Sequence, residues 1–297
     1  MNYSVVGSST LNVSRIGFGC MSLPPDEKKA IPVLHKAIDL GINYLDTADI
    51  YNDGINEQII GKAIKGKRDK LIVASKAGNV RRPDGGLDWN PTKKHILECV
   101  EKSLKRLNTD FIDLYQLHGG TINDNIGETI EAFELLKQQG KIRFYGISSI
   151  RPNVIREYIK RSSIVSVMTQ YSLLDRRPEE ETLEVLHKNN IGVLVRGSVA
   201  QGLLINKPAK PYLDYSLGDV AKMNAVVHKI SGKDRSATQT AIKYVLQHEA
   251  VTSSVVGMRT AEQVDDAVNT LNVPDLNPSE LEQLRNVLKP IAYKEHR

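Results

Sequence analysis

Cysteine and tryptophan are scarce in this chain, and long apolar runs are missing. Only Cys20 and Cys99 stand among 297 residues, which excludes a disulfide framework and fits a reducing cytoplasm. The longest apolar runs, such as Ile191–Val195, are far too short for a transmembrane helix. The start, Met1-Asn2-Tyr3-Ser4, lacks the basic flank and apolar stretch of a secretory signal. No Pro/Gly/Ser-rich linker or low-complexity tract divides the sequence, so residues 1–297 read as one domain. Excess charge of one sign is also small. Lys and Arg number 40 against 35 Asp and Glu, a formal net charge of +5. The densest basic clusters, Lys62–Lys70 and Arg81-Arg82, are short and lack interleaved aromatics, so they read as solvated faces. Nucleic-acid and membrane partners are excluded on this reading. A small-molecule partner and a monomeric state are expected.

What is present is a globular balance, with 40% hydrophobic and 25% charged residues, and a recurring pattern. Apolar, β-prone runs begin near Ile16, Asn43, Leu71, Ile112, Ile142, Val165, Ile191 and Val251. Amphipathic stretches lie between them: Lys28–Leu40, Pro91–Leu107, Ile126–Gln139, Pro178–Asn190, Ser236–His248 and Ala261–Thr270, with Asn277–Lys289 last. Pro91 suits a first helical turn, and Gly140 suits a helix end. Eight strands alternating with helices predict the α/β class and a (β/α)8 TIM barrel. A doubly wound sheet fits less well, because Gly17-Phe-Gly19-Cys-Met-Ser22 lacks the third glycine of a dinucleotide loop and Pro24-Pro25 follow it. Residues 3–12 are expected to form a short N-terminal hairpin at the bottom of the barrel. The two longest intervals place long loops after strands 3 and 7, at Gly78–Asn90 and Gly197–Asp234. Active sites of such barrels lie at the C-terminal strand ends, so both loops are candidates to cover the site. The first carries the only tryptophan, Trp89, either a packing anchor or a substrate wall.

Polar residues gather at these strand ends. The second strand leads to Asp46, Asp49 and Tyr51, the third to Lys76, the fourth to His118. The fifth ends in Ser148-Ser149, and the sixth in Gln170-Tyr171. Asp, Lys and Tyr together make a proton donor. A lone tyrosine has a pKa of about 10. A neighbouring ammonium favours its phenolate, and an aspartate holds that ammonium in place. A histidine beside them orients a carbonyl oxygen or shares the proton. Singly, each residue has a plainer role as cap, ion-pair partner or packing group; convergence of four on three neighbouring strand ends carries the reading. A metal site fits poorly, since no second His or Cys stands at ligand spacing near His118.

These residues sit in recognisable motifs. Gly41-Ile-Asn-Tyr-Leu-Asp46-Thr-Ala-Asp49-Ile-Tyr51, Ile72-Val-Ala-Ser-Lys76, Ser103–His118 and Gly140–Ser149 resemble the signatures of the aldo-keto reductase superfamily. The resemblance runs from about Gly17 to Asp266. It implies an NADP(H)-dependent oxidoreductase that reduces aldehydes or ketones to alcohols, reversibly. Tyr51 is implied as general acid, supported by Asp46, Lys76 and His118. Ser148 and Gln170 would hold the nicotinamide carboxamide, and Tyr171 would stack on its ring. The backbone of Gly19, Cys20 and Met21 would line the nicotinamide and ribose beside Asp46.

After the seventh strand, Arg196-Gly197-Ser198-Val199-Ala-Gln201-Gly202 stands in the pyrophosphate loop, where relatives commonly carry a Tyr-Ser-Pro-Leu type sequence. Arg196 is the departure, paired either with a phosphate or with a barrel carboxylate. After the eighth strand, Gly257, Arg259, Gln263 and Asp266 match the adenosine-phosphate segment. Arg259 would meet the 2′-phosphate and favour NADP over NAD. Ala267 replaces the usual asparagine and would remove one adenine contact. Two other readings use the same residues. A cofactor-binding redox sensor subunit would turn over little, and a barrel aldolase or isomerase would use Lys76 as a Schiff base but leaves Tyr51 and Arg259 unexplained.

Overall fold

The computed structural model describes residues Met1–Arg297. Its centre is a closed barrel of eight parallel strands. These are β1 (Ile16–Gly19), β2 (Tyr44–Asp46), β3 (Ile72–Ala77), β4 (Ile112–Leu117), β5 (Ile142–Ser148), β6 (Ser166–Gln170), β7 (Gly192–Arg196) and β8 (Val251–Gly257). Each pairs with its sequence neighbour, and β8 returns to β1. Strand side chains alternate, so every second residue points into the barrel. Tyr44, Ile72, Ala74, Leu114, Met168, Leu194 and Val255 fill that interior. The other face packs under the helices in a separate, larger apolar cluster.

Outside the barrel, Tyr3–Val5 and Asn12–Ser14 form the expected antiparallel hairpin. Val6, Leu11 and Val13 join the interior cluster and plug the bottom of the barrel. Helices cover the sides. None is long and apolar enough to cross a membrane.

The structure moves several expected boundaries. The helix expected from Pro91 begins at Lys93, because the Thr92 side chain caps the His95 N–H. Pro91 lies before the cap, and its carbonyl accepts a bond from Thr129 Oγ1. The helix expected from Pro178 begins at Thr182, since Pro178 belongs to a separate 3-10 turn, Arg177–Glu179. Three helices, Ile55–Ala63, Pro152–Arg161 and Leu217–Ser231, were not among the amphipathic stretches. The last fills much of the loop expected at Gly197–Asp234, and Ser216 and Asp219 start it with a capping box. The loop Gly78–Asn90 is itself a small hairpin pairing Asn79–Arg81 with Leu87–Trp89.

Candidate active site

Inward alternation on β2, β3 and β4 brings one polar cluster to the barrel mouth. Tyr44 and Asp46 share a face, as do Ala74 and Lys76, and Gln116 and His118. The register sets Asp46 opposite Ala74, and Lys76 opposite Gln116. Lys76, 0% exposed, places Nζ 2.6 Å from Asp46 Oδ1 and 2.7 Å from the Thr47 carbonyl. The other carboxylate oxygen accepts from Tyr44 Oη at 3.4 Å and Gln116 Nε2 at 3.3 Å. Spacing of two along each strand was the signal for Tyr44 and Gln116, which the motif reading passed over.

Tyr51 reaches the cluster from a tight turn. Asn52, Asp53 and Gly54 all adopt left-handed φ values of 48°, 53° and 86°, which swings the chain back into the helix Ile55–Ala63. Lys76 Nζ lies 5.2 Å from the Tyr51 ring centre. The Tyr51 and His118 rings meet edge to face at 5.8 Å between centroids and 80° between planes. The four residues Asp46, Tyr51, Lys76 and His118 therefore do come together.

Burial dominates their charge states. It pushes the Tyr51 phenol up, against the pull of Lys76, so the expected net lowering by the ammonium does not occur. The hydroxyl stays protonated at neutral pH. Burial acts to lower Lys76, but Asp46 and Tyr51 outweigh it and hold the ammonium above the usual lysine range. Burial, then Lys76 and Arg196, drive His118 down to about 3. Its imidazole is neutral, and Nδ1 is buried without a protein partner. Beside the cluster, burial and the Glu57 charge push Asp49 up to about 7.

The remaining expected residues distribute unevenly. Ser148 and Gln170 end β5 and β6 at the mouth. Gln170 Nε2 donates to Asp175 at 2.8 Å and to Tyr212 Oη at 3.1 Å, while Oε1 accepts from Arg196 Nη1 at 2.6 Å. Arg196 is thus paired with an amide, neither of the two partners expected for it. Tyr171 is not at the mouth. One residue past inward-facing Gln170, it turns to the outer face, is 1% exposed, and donates to Glu179 at 2.7 Å beside Tyr244. It cannot stack on a ligand in the barrel. Cys20 turns its side chain into the core, and its carbonyl accepts from Asn56 Nδ2 at 2.7 Å. Gly19 lies against β8, and Met21 is 66% exposed on the rim.

The segment after β7 is built from unusual backbone. Gly197, Ala200, Gln201 and Gly202 have φ values of 75°, 47°, 59° and 91°, with Val199 half-buried between them. Ser198 is buried and accepts from Ser254 Oγ at 3.1 Å. After β8, whose last residue is Gly257, Thr260 caps the helix Ala261–Asn269. Arg259 is exposed there, and its backbone N–H donates to Gln263 Oε1 at 2.8 Å. Asp266 Oδ1 is already engaged by Ser236 Oγ at 2.7 Å and Gln239 Nε2 at 2.9 Å. Ala267 is fully buried in the apolar core. Trp89 donates from Nε1 to both Asp124 oxygens at 3.0 Å, and its ring lies over Gly78 and Gly119. It anchors the hairpin.

The sequence matches the Aldo/keto reductase family over residues 15–289. It is 49% identical over 303 residues to the uncharacterized oxidoreductase YqkF of Bacillus subtilis (strain 168), covering 98% of each chain. The fold superposes on the holo form of aldo-keto reductase AKR11C1 from Bacillus halodurans with a TM-score of 0.93 and 48% identity, over 100% of this chain and 99% of that one. Against the apo form of the same protein the TM-score is 0.86 at 46% identity, with the same coverage. The match spans every strand that contributes to the polar cluster, and the chain belongs to the aldo/keto reductase family of oxidoreductases.

Proposed function

We propose that this chain reduces aldehyde and ketone carbonyls to alcohols with NADPH, reversibly, and that Tyr51 is the proton donor. The observation that carries the reading is the buried Lys76–Asp46 pair set against the Tyr51 ring, with a neutral His118 across from it. The Tyr51 hydroxyl holds its proton until a substrate oxygen gains negative charge. Lys76 then stabilises the phenolate left behind. Asp46 keeps the ammonium charged and fixed, while Tyr44 and Gln116 keep the carboxylate fixed. His118, uncharged, offers one N–H to orient the carbonyl oxygen.

The residues around the mouth fit a nicotinamide dinucleotide. The left-handed residues Gly197, Ala200, Gln201 and Gly202 bend this loop into turns suited to cradle phosphate. Arg259 stands exposed beside a helix start, suited to a 2′-phosphate. Ser148 would hold the carboxamide, joined by Gln170 once it exchanges its Tyr212 contact. When bound, the nicotinamide supplies the hydride. Over the whole chain, the fold is more like the holo form than the apo form of the Bacillus halodurans reductase.

Tyr51→Phe tests the assignment. General acid catalysis is worth about 10²–10⁴-fold, and a loss of at least that size is expected with an aldehyde panel followed at the nicotinamide absorbance band. Calorimetric NADPH binding should persist, and be tighter than NADH binding. Undiminished turnover in the variant would refute the role of Tyr51.

A further inference from the structure

Two cations face the reacting centre, and only one is balanced. Lys76 is neutralised at 2.6 Å by Asp46. Arg196, the last residue of β7, follows the inward-facing Leu194 by two and so projects over the mouth. It is held there by Gln170 Oε1 at 2.6 Å, a neutral acceptor. The Gln170 amide is held in that orientation by Asp175, which accepts from its Nε2 at 2.8 Å. The acid in this network is itself spent: Asp175 takes two bonds of 2.7 Å from Arg177. The Arg196 guanidinium therefore has no carboxylate partner, and its field reaches both Tyr51 and His118.

We propose that Arg196 sets the redox bias of the bound cofactor, favouring the reduced nicotinamide over the oxidised one. This rests on the reading that a nicotinamide cofactor occupies the mouth. A carbonyl carbon that takes hydride while its oxygen faces Tyr51 and His118 puts the donor ring beside those two residues, within the same field. The reduced ring is neutral. After two electrons and a proton have left as hydride, the ring carries a full positive charge. Hydride then resides on the carbonyl carbon and the Tyr51 proton on its oxygen. Arg196, exposed at the rim, repels only the charged form. Release of the spent cofactor is favoured, while hydride transfer on the protein becomes less downhill. A guanidinium that merely clamped a phosphate would act on the two redox forms alike.

The test is calorimetric titration of the whole protein with NADPH and with NADP⁺, reading the ratio of Kd for NADP⁺ to Kd for NADPH. Arg196→Met should bring that ratio down about tenfold, equal to about 1.4 kcal/mol or about 30 mV in the bound two-electron couple. Arg196→Lys, which keeps the charge, should retain most of the wild-type ratio. A change under about threefold in the methionine variant, less than 1 kcal/mol, overturns the proposal. So does a lysine variant as low as the methionine one. Wild-type protein that binds neither cofactor overturns the cofactor reading itself, a result distinct from binding with an insensitive ratio.

Discussion

Asp49 shows how one residue can work against the fold to serve its neighbours. Its backbone N–H donates to the Lys76 carbonyl at 3.2 Å, which ties the start of the Tyr51 turn to β3. Its side chain is left in poor surroundings, with Oδ1 buried and without a partner. Burial first, then Glu57, raise its pKa from 3.8 to about 7. A carboxyl raised in the folded state binds a proton more tightly there than in the unfolded chain. Its contribution is therefore favourable below the unfolded value and is lost as pH rises from about 4 to about 7. Asp49→Asn, which mimics the protonated form, should remove this loss. The variant should gain stability over the wild type by roughly a few kcal/mol at pH 8 and by little at pH 4. Urea unfolding at the two pH values measures it, and an equal difference at both would contradict the reading.

At the scale of elements, the small hairpin after β3 and the Tyr51 turn behave as one unit. Arg81 Nε pairs with Asp53 at 2.5 Å, and Arg81 Nη2 donates to the Ile50 carbonyl at 3.3 Å. The hairpin in turn depends on Trp89, tethered to Asp124 and lying on Gly78. A Cβ on Gly78 would fall 2.7 Å from the indole ring, at a φ of +125° that side chains rarely adopt. Gly78→Ala should push the indole out, at a cost of about 1–3 kcal/mol. Trp89 is the only tryptophan, so its emission reports the change directly. A red shift and a raised KM for the carbonyl substrate are expected, whereas an unshifted spectrum would show that the ring does not depend on Gly78.

For the molecule as a whole, the barrel has two ends with separate duties. The top holds the polar cluster. The bottom is closed by Val6, Leu11 and Val13, packed on the same interior side chains that support Tyr44. Leu11 is buried in this plug, far from the mouth along the barrel axis. Leu11→Ala should lower stability by about 2–5 kcal/mol, as core truncations do. Turnover measured below the unfolding transition should be unchanged. A parallel loss of kcat would mean that the plug also sets the geometry of the cluster.

Local signals in the sequence determined the eight strands, because each is a short apolar run bounded by polar turns. They determined the tetrad too, since Asp46, Lys76 and His118 stand at or just past strand ends and Tyr51 follows Asp46 in one motif. The helix Leu217–Ser231 was illegible, because the long polar interval around it hid its start. Tertiary packing alone decided that Tyr171 is a core residue, for the β6 alternation that faces Gln170 inward turns its neighbour outward beneath Tyr244. It alone decided the charge states. Lys76 was expected to lower the Tyr51 pKa, but burial removes more stabilisation from the phenolate than the ammonium restores, and no sequence motif encodes the depth of burial. The partner of Arg196 was equally a matter of folding: Gln170 lies far away in the chain and meets it only because β6 and β7 are adjacent in the closed barrel.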